Sequence, residues 1–149
     1  MPERRRLYGL ALVITHDPSA AEDAVQETLI SAWRSWSKVR DPRQPGGWLT
    51  RICVRHCLGR RRQSDSPVHF GDTAGTLRAQ GQIEFDGALL DFDRAFGLLT
   101  AKQRAAFSLH VRYGYTVVEC AALMGCRPGT ARSHLGRAVA TLRKEMSHE

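Results

Sequence analysis

The sequence lacks any apolar run that approaches the ~20 residues required to span a membrane. Its N-terminus also lacks the long apolar core of a secretion signal, so we expect a cytoplasmic protein that is not inserted into a membrane. Aromatic residues make up only 7% of the 149 residues, and no stretch of useful length alternates polar and apolar residues. Without that alternation an extensive sheet is excluded, and the helical spacing of the apolar residues predicts an all-α fold.

Cysteines are few, and their spacing is not that of a disulfide framework. The four cysteines (Cys53, Cys57, Cys120 and Cys126) lie within helical patterns, which in a reducing compartment favours small core residues. Cys53, His56 and Cys57 raise the alternative of a thiol or metal sensor, but no second ligand pair follows at zinc-finger distance. We therefore expect no metal and no cofactor. The sequence also has no Walker-type loop and no convincing nucleophile–base pair, so we expect no enzyme.

Acidic residues are fewer than basic residues. The chain has 22 Lys and Arg against 15 Asp and Glu, with a formal net charge of +7 and a pI of about 9.8, which favours a polyanionic partner. The charge is segregated along the chain. Basic and acidic residues number 12 and 6 in residues 1–62, 1 and 4 in residues 63–90, and 9 and 5 in residues 91–149. Two basic blocks therefore flank an acidic middle.

The most informative pattern, at residues 116–143, is a pair of short helices joined by a tight turn. Thr116 and Glu119 form a capping box, Gly125 ends the first helix, and Pro128 begins the second. The second helix has an apolar side (Ala131, Leu135, Ala138, Leu142, Met146) and a polar side (Arg132, Ser133, Gly136, Arg137, Arg143). A buried seam opposite a cationic face is typical of a DNA-reading helix-turn-helix, and an ordinary solvated hairpin is the alternative.

Three helical patterns precede residue 63. The first carries an apolar face (Leu7, Leu10, Ala11, Ile14), and the second begins at Asp17-Pro18 and carries a wide apolar stripe ending at Trp36. Residues 41–47 hold two prolines and two glycines and predict a loop. The third pattern runs from about Trp48 to Arg62, with an apolar face of Leu49, Ile52, Cys53 and His56. Opposite that face, Arg51, Arg55 and Arg62 lie beside Trp48, an arrangement that suits unstacked nucleic acid. Alternatively, Trp48 is a core residue and the arginines only solubilise the helix.

A second helical block follows residues 63–87, which contain four glycines and no sustained periodicity and therefore predict a linker. In this block a helix begins with Leu89, Leu90, Phe92, Phe96 and Leu99. Residues 100–103 form another capping box, and the helix after it directs Ala106, Leu109, His110 and Tyr113 toward the hairpin. We thus expect two small helical domains, residues 1–63 and 88–149, joined by a flexible acidic linker, residues 64–87.

Five motifs, in this order, resemble bacterial RNA polymerase sigma factors of the extracytoplasmic-function (ECF) group. They are Leu-Ala-Leu at 10–12, Ala-Glu-Asp-Ala-Val-Gln-Glu-Thr-Leu at 21–29, Trp-Leu-Thr-Arg-Ile at 48–52, Leu-Thr-Ala-Lys-Gln-Arg at 99–104 and Gly-Thr-Ala-Arg-Ser-His-Leu-Gly-Arg-Ala at 129–138. The resemblance covers about Leu7 to Leu142. It implies two domains, sigma regions 2 and 4, in a factor that binds core RNA polymerase, recognises a two-part promoter and helps to open it.

The resemblance also implies three sets of site residues. The polymerase set, which would dock on the coiled-coil clamp of the largest subunit, is Glu22, Asp23, Gln26, Glu27, Leu29, Ile30 and Trp33. The minus-ten set consists of Lys38, which precedes loop 39–47, Arg43 in that loop, and Trp48, Arg51 and Arg55 on the third helix. The minus-thirty-five set, on the helix-turn-helix, is Arg127, Thr130, Arg132, Ser133, His134 and Arg137. Further implied partners are the flap of the second-largest subunit and an anti-sigma factor, and the acidic linker would thread toward the active-site cleft or the RNA exit channel.

The sequence departs from the family pattern at several positions. Arg55 replaces an asparagine that helps to hold the flipped base, Gly59 replaces an aspartate, Ala131 a valine, and His134 an arginine, which would make binding pH-sensitive. Relatives also begin some residues earlier, so either the start codon is misassigned or the first helix is short. These departures motivate an alternative function: a sigma-like module without initiation activity, which acts as an anti-sigma decoy or as a simple helix-turn-helix regulator.

Overall fold

The computed structural model describes residues 2–39, 43, 45–59 and 87–147, and within these ranges it contains seven α-helices and no strand. The helices are α1 (Pro2–Thr15), α2 (Pro18–Arg34), α3 (Gly46–Gly59), α4 (Gly87–Gly97), α5 (Ala101–Phe107), α6 (Val117–Met124) and α7 (Pro128–Met146). A 3₁₀ turn at Trp36–Lys38 follows α2, and a π-helical turn at Ser108–Arg112 continues α5. The all-α prediction is confirmed. In the described part of the chain, no helix has the length and apolar character needed to cross a bilayer.

The helix starts that were predicted from capping residues are present, because each depends on a few neighbouring residues. The Asp17 carboxylate accepts a hydrogen bond from the Ser19 amide at 3.0 Å, ahead of a proline in the first turn of α2. Both predicted capping boxes form, at the starts of α5 and α6. Gly125 ends α6 in the left-handed conformation, with φ +74°, which a residue with a side chain adopts only at a cost.

The start of α3 lies earlier than predicted, because Gly46 and Gly47 are helical and not part of the preceding loop. An arginine of α1 holds this first turn: Arg6 donates to the Gly46 carbonyl at 3.1 Å and to the Thr50 hydroxyl at 2.8 Å. Such a long-range contact leaves no local signal in the sequence. The predicted end of this helix at Arg62 falls outside the described residues.

The main core is shared by the two halves of the chain. From the first half it takes residues of α1, α2 and α3, among them Leu7, Leu10, Ile14, Val25, Leu49, Cys53, Val54 and Cys57. From the second half it takes Ala101, Ala105, Ala106, Leu109, Cys120 and Met124. On α3 the buried side thus includes Val54 and Cys57, whereas Ile52 and His56, predicted to lie in the core, are only half-buried. The sequence did not predict this contact between the two halves.

A second, smaller cluster supports the C-terminal helix. It contains Ala95, Phe96, Leu99, Ala138 and Leu142, with Val13 of α1 packed against it. Within the predicted seam of α7, Ala131, Ala138 and Leu142 are buried and Leu135 is half-buried. The prediction was wrong for Met146, which is 42% exposed because it lies in the last turn, beyond the last buried residue of that helix.

Two further expectations need adjustment. His110 is exposed and not directed into the hairpin, because it lies in the π-helical turn, where the wider winding changes the register of the side chains. Its Nδ1 lies 2.8 Å from the Tyr115 carbonyl oxygen. Gly87, the last residue of the predicted linker, is the first residue of α4, and the rest of that segment lies outside the described residues. The domain boundaries remain a prediction.

Candidate nucleic-acid interface

The helix-turn-helix consists of α6, the turn at Gly125 and α7. The amide of Cys126 donates to the Ala121 carbonyl at 3.0 Å, which closes the turn. The predicted DNA residues Arg127, Thr130, Arg132, Ser133 and Arg137 are all exposed. They lie opposite the buried seam of α7, so packing fixes the orientation of a cationic surface. This arrangement is suited to entering a major groove and contacting phosphates and base edges.

His134 differs from the rest of this set, because its side chain is half-buried. Burial lowers its pKa, and the positive charges of Lys102 and Arg137 lower it further. Its Nδ1 is buried and has no hydrogen-bond partner among the described residues. The His134 side chain is thus partly covered, whereas Arg137 is exposed to solvent. The structure does not group His134 with the exposed arginines.

A second cationic surface lies on α3 and the segment before it. Lys38, Arg43 and Arg51 are exposed, and Trp48 is half-buried. The Trp48 ring meets Trp36 edge-on, with ring centroids 6.0 Å apart, and Trp36 is 44% exposed. Trp36 had been placed on the apolar stripe of the preceding helix, so sequence reasoning missed it as a surface residue. The sequence carries no local signal for this exposure, because Trp36 lies in the 3₁₀ turn after α2 and not on the helix that the apolar stripe predicts.

Arg55, predicted to belong to the same surface, has a different environment. Its Nη2 donates to the Ala122 carbonyl of α6 at 3.2 Å. Its guanidinium also lies against the turn of the helix-turn-helix, where a β-carbon at Gly125 would be 3.5 Å from the Arg55 Nε. Arg51, one helical turn earlier, is exposed. The two arginines therefore do not form one free DNA-facing pair in this structure.

The predicted polymerase surface is an edge of α2. Glu22, Asp23, Gln26, Glu27, Ile30 and Trp33 are exposed and Leu29 is half-buried, so the structure brings the whole set together. Trp33 is 82% exposed and Ile30 50% exposed, which is unusual for side chains of this size. An exposed apolar patch beside carboxylates is typical of a protein-binding surface.

His56 contributes to this edge, although the helical pattern predicts it on the apolar face of α3. Its Nδ1 lies 3.3 Å from the Glu27 carboxylate and its Nε2 lies 3.0 Å from the Ser31 hydroxyl. His56 thereby fixes one end of the acidic edge from α3. No local signal could have identified a partner 29 residues away in the chain.

The cysteines near His56 are part of the core. Cys53 and Cys57 are fully buried on the side of α3 that faces α1, and the Cys53 thiol lies 3.8 Å from the Leu7 carbonyl oxygen. A hydrogen bond with Cys57 lowers the pKa of Cys53. Cys120 lies in the same core, and burial raises its pKa to about 11. These surroundings give the thiols a packing role.

An exposed helix-turn-helix, a cationic helix with aromatic neighbours and a separate acidic–apolar edge define a class: a helical transcription factor that contacts both DNA and protein. The chain matches Sigma-70 region 2 over residues 1–66 and Sigma-70, region 4 over residues 89–142. It is 29% identical over 146 residues to the ECF RNA polymerase sigma factor SigM of Mycobacterium tuberculosis, covering 97% of this chain and 73% of that one. It is 32% identical over 142 residues to SigL of the same species, covering 92% and 80%.

A solved structure extends the comparison to three dimensions. The structure of the sigma factor RpoE in complex with the anti-sigma factor NepR from Bartonella quintana aligns with a TM-score of 0.69 at 25% identity, covering 99% of this chain and 93% of that chain. The chain thus belongs to the ECF sigma factors. It is a non-enzymatic transcription initiation factor that binds core RNA polymerase and directs it to promoters.

Proposed function

We propose that this sigma factor uses three separate surfaces, one to bind core polymerase and one for each of the two promoter elements. The acidic–apolar edge of α2 docks on the coiled-coil clamp of the largest polymerase subunit, and the second half of the chain contacts the flap of the second-largest subunit. The exposure of Trp33 and Ile30 beside four acidic or amide side chains supports the first assignment. Burying these two side chains would contribute roughly 1.5–3 kcal/mol each to the complex.

The minus-thirty-five element is read by α7. The observation that carries the proposal is the division of this helix: Ala131, Ala138 and Leu142 are buried, while the basic and hydroxyl side chains on the other side are exposed. Arg132, Ser133 and Arg137 reach bases and phosphates, with Arg127 and Thr130 at the start of the helix. His134 lies at the edge of this surface, because its side chain is half-buried.

The minus-ten element is contacted by Lys38, Arg43 and Arg51, with Trp48 and its neighbour Trp36 as stacking surfaces for an extruded base. Arg55 can contact the minus-ten DNA only after its hydrogen bond to the Ala122 carbonyl of α6 is broken. Arginine carries five donors and no acceptor, whereas the asparagine usual in relatives carries both. We therefore expect a recognised minus-ten sequence that differs from the family's common one.

The remaining partners follow from the same assignment. An anti-sigma factor is a further expected partner, since the similar sigma factor RpoE of Bartonella quintana forms a complex with the anti-sigma factor NepR. The factor would act at promoters, on the nucleoid in the cytoplasm. The acidic segment predicted to thread toward the active-site cleft or RNA exit channel lies outside the described residues, so this role rests on its charge alone.

Trp33 and Trp36, which are three residues apart, allow a matched test of the polymerase edge. We expect Trp33→Ala to abolish retention on purified core polymerase, because it removes the exposed anchor of the docking edge. Trp36→Ala should retain core binding but reduce permanganate-detected promoter opening and run-off transcription. Loss of core binding in both variants, or in neither, would contradict the assignment of the edge.

Initiation activity itself is tested with unmodified protein. Run-off transcription with core enzyme should yield transcripts from a cognate promoter, and gel shifts should show much tighter DNA binding with core than without it. The decoy or simple regulator is favoured by the departures at Arg55 and Gly59. That alternative would be established if core-bound protein gave no transcript from any promoter whose DNA the free chain binds.

A further inference from the structure

The start of α3 receives little support from its own sequence. Pro45 precedes the helix, and its carbonyl accepts the first intrahelical hydrogen bond, from the Leu49 amide at 2.9 Å. A proline has no side-chain oxygen with which to cap the amides of the first turn. Gly46 and Gly47 follow, and glycine is disfavoured in a helix by about fivefold relative to alanine. Local preferences therefore do not account for a helix that begins at Gly46.

Arg6 of α1 supports this first turn from outside the helix. Its Nη1 donates to the Thr50 hydroxyl at 2.8 Å, and its Nη2 donates to the Gly46 carbonyl at 3.1 Å. The Thr50 hydroxyl in turn donates to the same Gly46 carbonyl at 2.8 Å, and Thr50 is 2% exposed. Three hydrogen bonds thus form a closed ring that joins Arg6 to both ends of the first turn of α3.

Glu3, which lies one turn before Arg6 on α1, holds the guanidinium in its orientation. Its Oε2 accepts from the Arg6 Nε at 3.2 Å and from the Arg6 Nη2 at 2.9 Å. All three guanidinium nitrogens therefore donate hydrogen bonds, to α1 on one side and to α3 on the other. Because arginine presents its donors in a rigid planar fork, these contacts fix where the first turn of α3 lies relative to α1.

The first turn of α3 also carries the aromatic part of the minus-ten surface. Trp48 is the third residue of the helix, and its ring meets Trp36 edge-on, with centroids 6.0 Å apart. The second half of the helix is anchored separately, by three fully buried side chains: Cys53, Val54 and Cys57. A shift of the first turn would therefore displace Trp48 while the rest of α3 stays in the core.

We propose that Arg6 is a positioning residue for promoter opening. It holds the first turn of α3, and through that turn the Trp48 ring, where the ring can stack on an extruded minus-ten base. Glu3 contributes by orienting Arg6. The effect on opening rests on the proposed minus-ten role of Trp48, whereas the contact between Arg6 and the first turn does not.

Arg5 and Arg6 provide a matched pair of variants. Arg5→Gln removes one exposed positive charge from α1, and Arg6→Gln removes the same charge together with the contacts to α3. Fluorotryptophan incorporated into the chain gives a fluorine NMR resonance for each of the three tryptophans. In the free chain, we expect Arg6→Gln to shift the Trp48 resonance and to leave the Trp33 resonance in place. Arg5→Gln should leave both unchanged.

The same two variants are then compared in transcription complexes with core polymerase and a cognate promoter. Arg6→Gln should slow promoter opening by up to about tenfold, because it loses two partly exposed hydrogen bonds to α3 that are worth about threefold each. Its affinity for core enzyme and for a fragment with only the minus-thirty-five element should not change. A general loss of stability would lower all three quantities together.

A glycine substitution gives a rescue that is specific to this turn. A β-carbon at Gly47 meets nothing within 4 Å, so Gly47→Ala should stabilise the first turn of α3 by about fivefold. Gly9→Ala is the control, because a β-carbon there also meets nothing within 4 Å but stabilises α1 instead. Added to Arg6→Gln, Gly47→Ala should recover most of the opening rate and the Trp48 resonance. Gly9→Ala should recover neither.

An unchanged Trp48 resonance in a folded Arg6→Gln chain would overturn the proposal, as would equal rescue by Gly9→Ala and Gly47→Ala. Should Arg6→Gln fail to fold, Thr50→Val removes the hydroxyl that Arg6 contacts, and an unchanged Trp48 resonance there would equally refute the positioning role. The resonances are measured without polymerase or DNA. A displaced Trp48 resonance with normal opening would therefore refute the proposed minus-ten role of Trp48, and with it the effect of Arg6 on opening, but not the contact.

Discussion

Helices α3 and α7 carry similar chemistry, with arginines on one side and small apolar residues on the other, but they differ in how available that chemistry is. On α7, Arg132 and Arg137 are exposed. On α3, Arg51 and Arg55 are both exposed, but Arg55 donates a hydrogen bond to the end of another helix. A helical sequence pattern thus determines which side of a helix is cationic. Long-range contacts determine which of those cations are free to bind DNA.

The largest effect that would test this comparison is disruption of the seam under α7. Leu142→Asp places a carboxylate in a small core beside Phe96 and Leu99, which should cost more than about 3 kcal/mol and unfold the second half. Leu135→Asp should cost less, because Leu135 is only half-buried. Circular dichroism melts of both variants, with exposed Arg143→Asp as control, measure the difference. A higher melting temperature for Leu142→Asp than for Leu135→Asp would show that the seam is assigned to the wrong residues.

Two arginines that donate to backbone carbonyls of the other half of the chain, Arg104 and Arg55, give the next largest effect. Arg104 is completely buried, and Arg104→Ala leaves the carbonyls of Ile14, Thr15 and Leu99 without this donor, at about 1–3 kcal/mol for each buried group that stays unsatisfied. Arg55→Ala removes an exposed hydrogen bond and should cost at most about 1 kcal/mol. Urea unfolding of both variants measures the two losses in the free energy of unfolding. Equal losses would mean that the burial of Arg104 does not add to the contribution of its hydrogen bonds.

These two arginines also show how much the sequence could predict. The starts of α2, α5 and α6 and the turn at Gly125 were predicted correctly, since each is determined by residues within four positions of one another. The contacts of Arg104 with α1 join residues about 90 positions apart. Neither hydrophobic periodicity nor capping rules carry information over that distance, so the shared core and the arginine contacts between the two halves could not be predicted.

In the candidate site, too, local patterns predict some features and long-range contacts determine others. The exposed face of α7 and the edge of α2 follow from the 3.6-residue period, and all their predicted exposed members except His134 and Leu29 lie in solvent. Trp36 and His56 were missed as members of surfaces, because a 3₁₀ turn and a partner on another helix place them there. The docking and DNA roles of these residues stay predictions.

A smaller effect distinguishes the two DNA surfaces. Arg137→Ala should weaken promoter binding and reduce the slope of log affinity against log salt by about one phosphate contact. Arg51→Ala should instead reduce promoter opening, with little change in the salt slope on a fragment holding only the minus-thirty-five element. Titrations on that fragment from low to moderate salt separate the two. An unchanged slope for Arg137→Ala would remove it from the phosphate contacts.

The smallest expected effect is a pH dependence centred on His134. Its pKa is lowered by burial and then by Lys102 and Arg137, so the folded chain releases this proton more readily than the unfolded chain does. Between the two pKa values the unfolded state binds more protons, and the free energy of unfolding therefore rises with pH. This contribution is present above the ordinary histidine pKa of about 6.5 and is lost as the pH falls below it.

His134→Gln should therefore flatten part of the decline in melting temperature between pH 7 and pH 5, while affinity for the minus-thirty-five element stays constant between pH 7 and pH 8 in both proteins. Comparing the two chains cancels the contributions of the other five histidines. An arginine at this position would be charged throughout. If affinity in the wild type rose steeply from pH 8 to pH 7, His134 would have to be protonated on DNA. It would then belong with the exposed cations of α7 and not at their covered edge.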